Sequence, residues 1–579
     1  MSAPVLYDIE LPPLDIDLGD PPPPPAGRHR RHLRTAMAWL RERRWDALTV
    51  AVLTVVGGVV HAVGMRRSPA RFDDEGTYTA YAWAVQHIGH LGHYTYWYAH
   101  PPLGWMQIAA YNVFTGAPDR APYAIASTRE LMLVCKLISI PLLFGLARRL
   151  DFTRFGSTIA VLLFALSPLS VYFTRAALLD NIVTPWLVAA FFFAASPRRS
   201  VVAAIASGGS FAVAVLSKET ALLYLPAVAL LLWMRSDRRN RRFTVTMFAT
   251  CFGLLCAAYP LYALINNELL AGPDHVSIEY AVRWQLFERV GSGDIFDPKS
   301  TAHAVIQSWI DQDRWLPTLS LLVAIPGLLI RRTRAVAAAF CIQVTQMLRG
   351  GYLPYPYVIA MIPFAALTVA GVADWLFAGR LVVVPWIRDR IDSTLRGRLG
   401  APAVRRGRQV LVGAATIVLA VIVAHSWQYG LKDLRTNDRD AGKAAALRWV
   451  LDNVGKDEYL VVDDAFWVDL VEAGYPRDHV IWFTKLDVDK DVKLPGTPQW
   501  AAIDYVLLDH QDDLSVHLQG DGQPSKDTLN LFPTLGKALQ HSHPVATFGA
   551  GLDTVSVRAV DPSASAKKAV GPSAEKAGG

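Results

Sequence analysis

The sequence predicts a polytopic α-helical membrane protein that carries a small α/β domain at its C-terminal end. Three observations predict it. Of 579 residues, 52% are hydrophobic and only 18% are charged, against about 25% charged in soluble domains. Apolar runs recur from residue 47 to residue 426, and a bilayer core of about 30 Å needs about 20 such residues per helix. Beyond residue 430 the chain becomes charged and alternates helical with strand periodicity.

Residues 1–44 open with "LPPLDIDLGDPPPPPAG", acidic and Pro-rich, which predicts an extended, unfolded segment. "RHRRHLRTAMAWLRERR" follows, a basic stretch suited to anionic headgroups. It holds the N-terminus in the cytoplasm. No cleavable signal peptide is expected. Residues 45–428 are read as the transmembrane domain, with about eleven spans, some shortened by Pro or tilt. They lie near Ala47–Gly64, Leu131–Ala147, Phe155–Phe173, Asn181–Ala195, Val201–Leu216 and Thr220–Met234. The others lie near Phe243–Ile265, Leu316–Ile330, Ala335–Met347, Tyr355–Leu376 and Val410–Ser426.

Charge tests this reading. Alternate connections are Arg-rich: "RRLDFTR" at 148–154, "PRRS" at 197–200, "RSDRRNRR" at 235–242, "RRTR" at 331–334 and "RDRIDSTLRGRLGAPAVRRGR" before the final span. The positive-inside rule places these in the cytoplasm. The long connections 65–130 and 266–315 then lie outside, as does everything after the last span. The net charge of +7 is therefore a topology signal, and nucleic acid is not an expected partner. Cys135, Cys251, Cys256 and Cys341 all sit in apolar runs without a CxxC, so they are read as packing residues. No matched pair of broken spans suggests an inverted-repeat transporter.

Residues 429–560 are read as an extracytoplasmic α/β domain. "DAGKAAALRWVLDNV" has helical character, and "EYLVVDD", "VIWFTK", "IDYVLLD" and "DTVSVRAV" have strand character. It contains no GxGxxG and no P-loop, so nucleotide binding is not suggested. The tail 561–579 is disordered by composition.

Four polar features converge on the outer surface. "RFDDEGTY" follows the first span and sets Asp73, Asp74 and Glu75 side by side, where like charges raise one another's pKa. "YAHPPLGW" (98–105) lies in the same connection, "YFTRAALLDN" (172–181) turns between the third and fourth spans, and "LSKET" (216–220) turns between the fifth and sixth. Each has an ordinary structural reading as a helix start, a snorkelling cation or a Pro stop. Together they supply the parts for one reaction. A carboxylate deprotonates a hydroxyl, and fixed cations at headgroup depth hold a phosphate leaving group. Transfer of a sugar from a lipid-linked phosphate to an alcohol needs both.

In this order, "DDEGTY", "HPPLGW", "RAALLD" and "LSKET" resemble the polytopic glycosyltransferases of the GT-C fold. The nearest are the protein O-mannosyltransferases and lipid A aminoarabinose transferases, and the resemblance covers roughly 70–425. It implies that Asp74 is the catalytic base, with Asp73 one residue away as the alternative. Glu75 would orient the acceptor or tune the base. Arg175 and Lys218 would bind the donor phosphate, and Asp180 would fix Arg175 or touch the sugar. His100 stands where the aminoarabinose transferases have Lys. It would contact phosphate if protonated or ligate a metal. Tyr78 is assigned to the substrate site. Tyr352, in "GGYLPYPY", would line the same cavity or anchor the interface. In "AGPDHVSIEYAVRWQLFERVGSGD" (271–294), which suits a lid, His275, Glu279 and Glu288 are weak candidates for a divalent ion.

The expected reaction is an inverting transfer from a polyprenyl-phosphate sugar to a hydroxyl of protein, polysaccharide or lipid in the cell envelope, at the outer face of the inner or plasma membrane. No cofactor is certain. The alternatives are a transporter or flippase of a lipid-linked sugar and a non-catalytic envelope scaffold. Transporters place ionisable residues at mid-membrane, and Lys136 in the second span is the one residue here that points that way.

Overall fold

The structure is a computed structural model that describes residues 28–72, 74–89, 100–196, 200–272, 277–289, 291–377, 401–487, 489, 492–509, 524 and 526–561. The chain divides into two compact units, residues 1–51 and 52–579. The first holds the N-terminal part of helix α1 (Arg28–Ala62), which is apolar from Arg44 onward. In the second unit, α2 (Glu75–His87), α3 (Leu103–Thr115) and α4 (Ala117–Arg120) occupy the first long connection. Helices α5 (Ala124–Arg149), α6 (Arg154–Leu166), α7 (Pro168–Arg175), α8 (Leu179–Ala194), α9 (Val201–Ser217), α10 (Leu225–Arg235) and α11 (Arg241–Ile265) follow. The second long connection carries α12 (Ile278–Arg283) and α13 (Thr301–Gln312). Then come α14 (Trp315–Leu329), α15 (Arg334–Met347), α16 (Val358–Phe377) and α17 (Ala401–Thr436).

Every apolar stretch read from the sequence runs along a helix or a joined pair. Among the described residues five helices are long and apolar enough to cross a membrane, or six if the bent pair α6–α7 counts as one. Helices α8, α9 and α14 are shorter and also apolar.

The α6–α7 pair bends by 56°. Pro168 begins α7 and has no N–H to continue the ladder, so carbonyls of the preceding turn lose their partners. In a bilayer such groups must be satisfied from within the protein. Ser170 Oγ donates to Phe164 O at 2.6 Å, and Lys136 Nζ donates to the same oxygen at 2.9 Å and to Ser170 Oγ at 2.8 Å. His61 Nε2 lies 3.0 Å from Ala165 O. Lys136, the intramembrane charge that spoke for a transporter, thus closes a helix break.

The C-terminal domain contains α18 (Ala441–Asn453), β1 (Leu460–Val462), α19 (Asp464–Glu472), β2 (Val480–Trp482), β3 (Tyr505–Asp509), α20 (Lys526–Leu531), α21 (Pro533–Gln540), β4 (Ser542–Phe548) and β5 (Val555–Val560). The strands form one sheet in the order β2-β1-β3-β5-β4. β2, β1 and β3 are parallel, with Val461 opposite Ile481 and Val506. Their residues are buried in unbroken runs, as parallel strands covered on both faces require. β5 and β4 are antiparallel additions. Strand β4 carries polar and exposed residues, Pro544 and a register shift, features that blunt a sheet edge. This edge strand and α19 were not among the elements read from the sequence.

Candidate active site

Helix α2 begins at the acidic cluster, and its first residue is the best-bound side chain in the region. Glu75 is fully buried. Its carboxylate accepts from Arg129 Nη2 at 2.6 Å, Arg129 Nε at 2.9 Å, Ala177 N at 2.6 Å and Phe72 N at 3.3 Å. Arg129, also fully buried, spends its remaining donors on the Met65, Pro69 and Ala70 carbonyls. This two-pronged pair joins the first long connection to the start of α5 and to the turn after α7. Glu75 is therefore held by the protein, without the access that orienting an acceptor requires.

Asp74 is different. It sits at the N-cap of α2, half-buried, and no cap hydrogen bond occupies its side chain. Tyr78, one turn on, donates its hydroxyl to Asp74 Oδ2 at 3.0 Å. The Tyr78 ring lies 5.9 Å from the His100 ring. His100 Nδ1 is 2.8 Å from Glu219 Oε2. Beside Glu219 in sequence, Lys218 ends α9 in extended backbone, so its ammonium turns to Asp180 Oδ2 at 2.6 Å. Burial lowers the pKa of Lys218, but the Asp180 carboxylate outweighs that, with help from Glu219 and Asp74, and the ammonium stays charged. Contacts and charge thus link Asp74, Tyr78, His100, Glu219, Lys218 and Asp180 at one end of the bundle.

Arg175 has other partners. Its two Nη atoms donate to Val60, Val63, Ser68 and Leu434 carbonyls at 2.6–3.1 Å. These bonds close the end of α1 and tie it to α17. The expectation that Arg175 and Lys218 meet over one phosphate does not match these partners, and Asp180 pairs with Lys218, not with Arg175.

The C-terminal domain touches α2 directly. Arg71 Nε pairs with Asp440 at 2.9 Å, and Ala124 N donates to Asp469 at 2.8 Å. Thr77 donates from Oγ1 at 2.5 Å and from N at 3.0 Å to Asp464 Oδ2. Trp83 Nε1 donates to Glu472. Helix α19 approaches so closely that a Cβ on Gly76 would lie 2.2 Å from the Asp464 carbonyl. Gly76→Ala is expected to force the two helices apart at a cost of about 1–3 kcal/mol or more. Limited proteolysis should then cleave the C-terminal domain faster than in the wild type.

Two titratable groups of this domain face the same region. Burial pulls Lys485 down to about 8, opposed by Asp489 and Asp74. Burial and then the Asp463 carboxylate push the Asp464 carboxyl well above its usual range. Lys443 holds Asp463 at 2.9 Å and Asp509 at 2.8 Å, fixing the ends of β1 and β3. The folded state keeps a proton on Asp464 that the unfolded chain releases near pH ~4. This contact favours folding at low pH and weakens as pH rises through the raised pKa. Thermal unfolding across pH should show this component in the wild type and lose it in Asp464→Asn. Parallel pH curves for the two proteins would contradict it.

Comparison with known proteins identifies the fold. Residues 100–262 match the family profile described as dolichyl-phosphate-mannose-protein mannosyltransferase. Among solved structures, ArnT from Cupriavidus metallidurans bound to undecaprenyl phosphate superposes with a TM-score of 0.52 at 16% identity, covering 90% of this chain and 100% of ArnT. The chain has the GT-C fold. A second GT-C protein, the Archaeoglobus fulgidus oligosaccharyltransferase tethered to an acceptor peptide, matches with a TM-score of 0.50 at 11% identity, covering 89% of this chain and 74% of that one. The oligosaccharyltransferase AglB from Archaeoglobus fulgidus, in complex with an inhibitory peptide and a dolichol phosphate, matches with a TM-score of 0.50 at 12% identity, covering 83% of this chain and 70% of that one. No curated protein matches the chain in sequence.

Several expected site residues lie elsewhere in the GT-C scaffold or beyond the described residues. Asp73 and His275 fall outside the described residues. Tyr352, exposed between α15 and α16, lies under the Arg289 guanidinium of the second long connection, 3.3 Å from its ring centroid. Glu279 accepts from Ala271 N at 2.7 Å, and Glu288 pairs with Arg283 at 2.9 Å. Among the described residues no cluster of three or more His, Cys, Asp or Glu is arranged around a metal position. The sequence reading missed Arg129, Glu219, Asp464 and Lys485. Arg129 had a signal, a lone cation at the start of an apolar span. The two C-terminal residues had none, since only the fold brings β1 and β2 ends to α2.

Proposed function

We propose that the chain is a membrane glycosyltransferase that moves a sugar from a polyprenyl-phosphate-linked donor to a hydroxyl acceptor at the extracytoplasmic face, inverting the anomeric centre. The observation that carries the reading is the convergence of Asp74, His100, Asp180 and Lys218 from separate connections at one end of a GT-C bundle. Asp74 takes the acceptor proton as the acceptor oxygen attacks the anomeric carbon and the bond to the phosphate breaks. Tyr78 holds the Asp74 carboxylate in place through Oδ2 and leaves the other oxygen for the acceptor. A positioned base of this kind contributes about 10²–10⁴ in rate.

Lys218, fixed by Asp180, faces the charge that develops on the leaving phosphate. His100 borders the same space and is steadied by Glu219. Support for a lipid-linked donor comes from the ligands of the structural neighbours, undecaprenyl phosphate in one and dolichol phosphate in another. One displacement inverts configuration. Support for the extracytoplasmic side comes from the Arg-rich connections, which the positive-inside rule assigns to the cytoplasm. Cells fed labelled polyprenyl-linked sugars should form a labelled protein, polysaccharide or lipid product only when they carry this gene. Identical label with and without the gene would reject the reading.

A further inference from the structure

Helices α1 and α17 come together near their C-terminal ends, and between those ends lies a cavity of about 780 Å³. Val59, Val63 and Tyr429 wall it, and all three are well exposed on the flanks of these helices. Arg175, Lys432 and Arg435 line its other part. Arg175 is buried to 3% exposure, and its Nε meets no partner although both Nη atoms are saturated by carbonyls. Lys432 and Arg435 are exposed, and among the described residues neither forms an ion pair. Asp433, the carboxylate between them, turns to Arg439 at 2.8 Å.

Three cations thus stand uncompensated where two apolar helices end, directly above a valine wall. Where membrane-spanning helices end, a bilayer presents its phosphate headgroups, with acyl chains beside the apolar turns. We propose that this groove holds an anionic glycerophospholipid, its phosphodiester against Lys432 and Arg435 and its chains along Val59 and Val63. Arg175 serves there as a fixed charge, because its strong donors are already committed to backbone. That arrangement suits a retained lipid more than a reacting one. Arg175 also binds Leu434 O, and Asp440 N donates to Arg67 O just beyond, so a lipid here would brace the helix that leads into the C-terminal domain. The inference needs the membrane placement and not the sugar-transfer reading, so the two fail separately.

The test uses the full-length protein in detergent, with native mass spectrometry to count retained lipid. Wild type should keep one phosphatidylglycerol in preference to phosphatidylcholine, and its thermal midpoint should rise on adding phosphatidylglycerol but not inorganic phosphate. K432A/R435A removes two cations on an exposed surface and should bind phosphatidylglycerol about thirtyfold more weakly while its fold is kept. Equal retention by wild type and the double variant would overturn the proposal. Displacement of phosphatidylglycerol by polyprenyl phosphate would also overturn it, assigning the groove to the donor.

Discussion

Asp74→Asn is expected to abolish sugar transfer, a fall of about 10²–10⁴ or more, the contribution expected of a positioned general base. The substitution keeps the shape, and the amide oxygen still accepts from the Tyr78 hydroxyl, so folding and donor binding should survive. Lys218 and Asp180 are untouched by it. The measurement is turnover beside donor affinity, on variants matched for thermal stability. Asp73→Asn, tested in the same way, decides between the neighbours. Full activity in Asp74→Asn would remove Asp74 from the role.

Glu75→Gln and Arg129→Ala produce the other large effect, on stability. Each leaves a buried charge without its partner, which costs about 3–5 kcal/mol. The loss spreads, because Glu75 also binds the Phe72 and Ala177 amides and Arg129 binds three carbonyls between Met65 and Ala70. Arg129→Lys should rescue little, since one ammonium does not reproduce the paired N–H geometry. Thermal unfolding separates this outcome from that of Asp74→Asn. Adjacent carboxylates should fail in different assays, one in stability and the other in turnover. A Glu75→Gln protein with wild-type stability would contradict the buried pair.

The helical part of the fold was legible because apolar length and Arg-rich connections report directly on a bilayer. Runs such as Tyr355–Phe377 need no tertiary information to be read. The bent α6–α7 span was read as one helix, since Pro168 alone does not reveal that Lys136, Ser170 and His61 will close the break. In the C-terminal domain β1, β2, β3 and β5 were readable from their buried periodicity. Strand β4, polar and interrupted by Pro544, carries no such pattern.

The site was legible in part. The motifs that carry Asp74, Tyr78, His100, Asp180 and Lys218 come together in the fold, although Asp180 pairs with Lys218 and not with Arg175. Arg175 was misplaced because a cation near an outer turn looks the same in sequence whether it meets phosphate or carbonyls. Four close carbonyls are a property of the packed helix ends. The burial of Glu75 was not legible for a similar reason: its partner Arg129 is 54 residues away. Asp464 and Lys485 come from a domain whose docking on Gly76 and Thr77 is visible only in three dimensions.

The most direct measurement supplies the purified protein with a labelled polyprenyl-phosphate sugar and an envelope extract as acceptor source, and follows the appearance of free polyprenyl phosphate. The account predicts release by the wild type, together with labelled product of inverted configuration, and none by Asp74→Asn at equal donor occupancy. No affinity for any polyprenyl-phosphate sugar, or equal release by the two proteins, would contradict it.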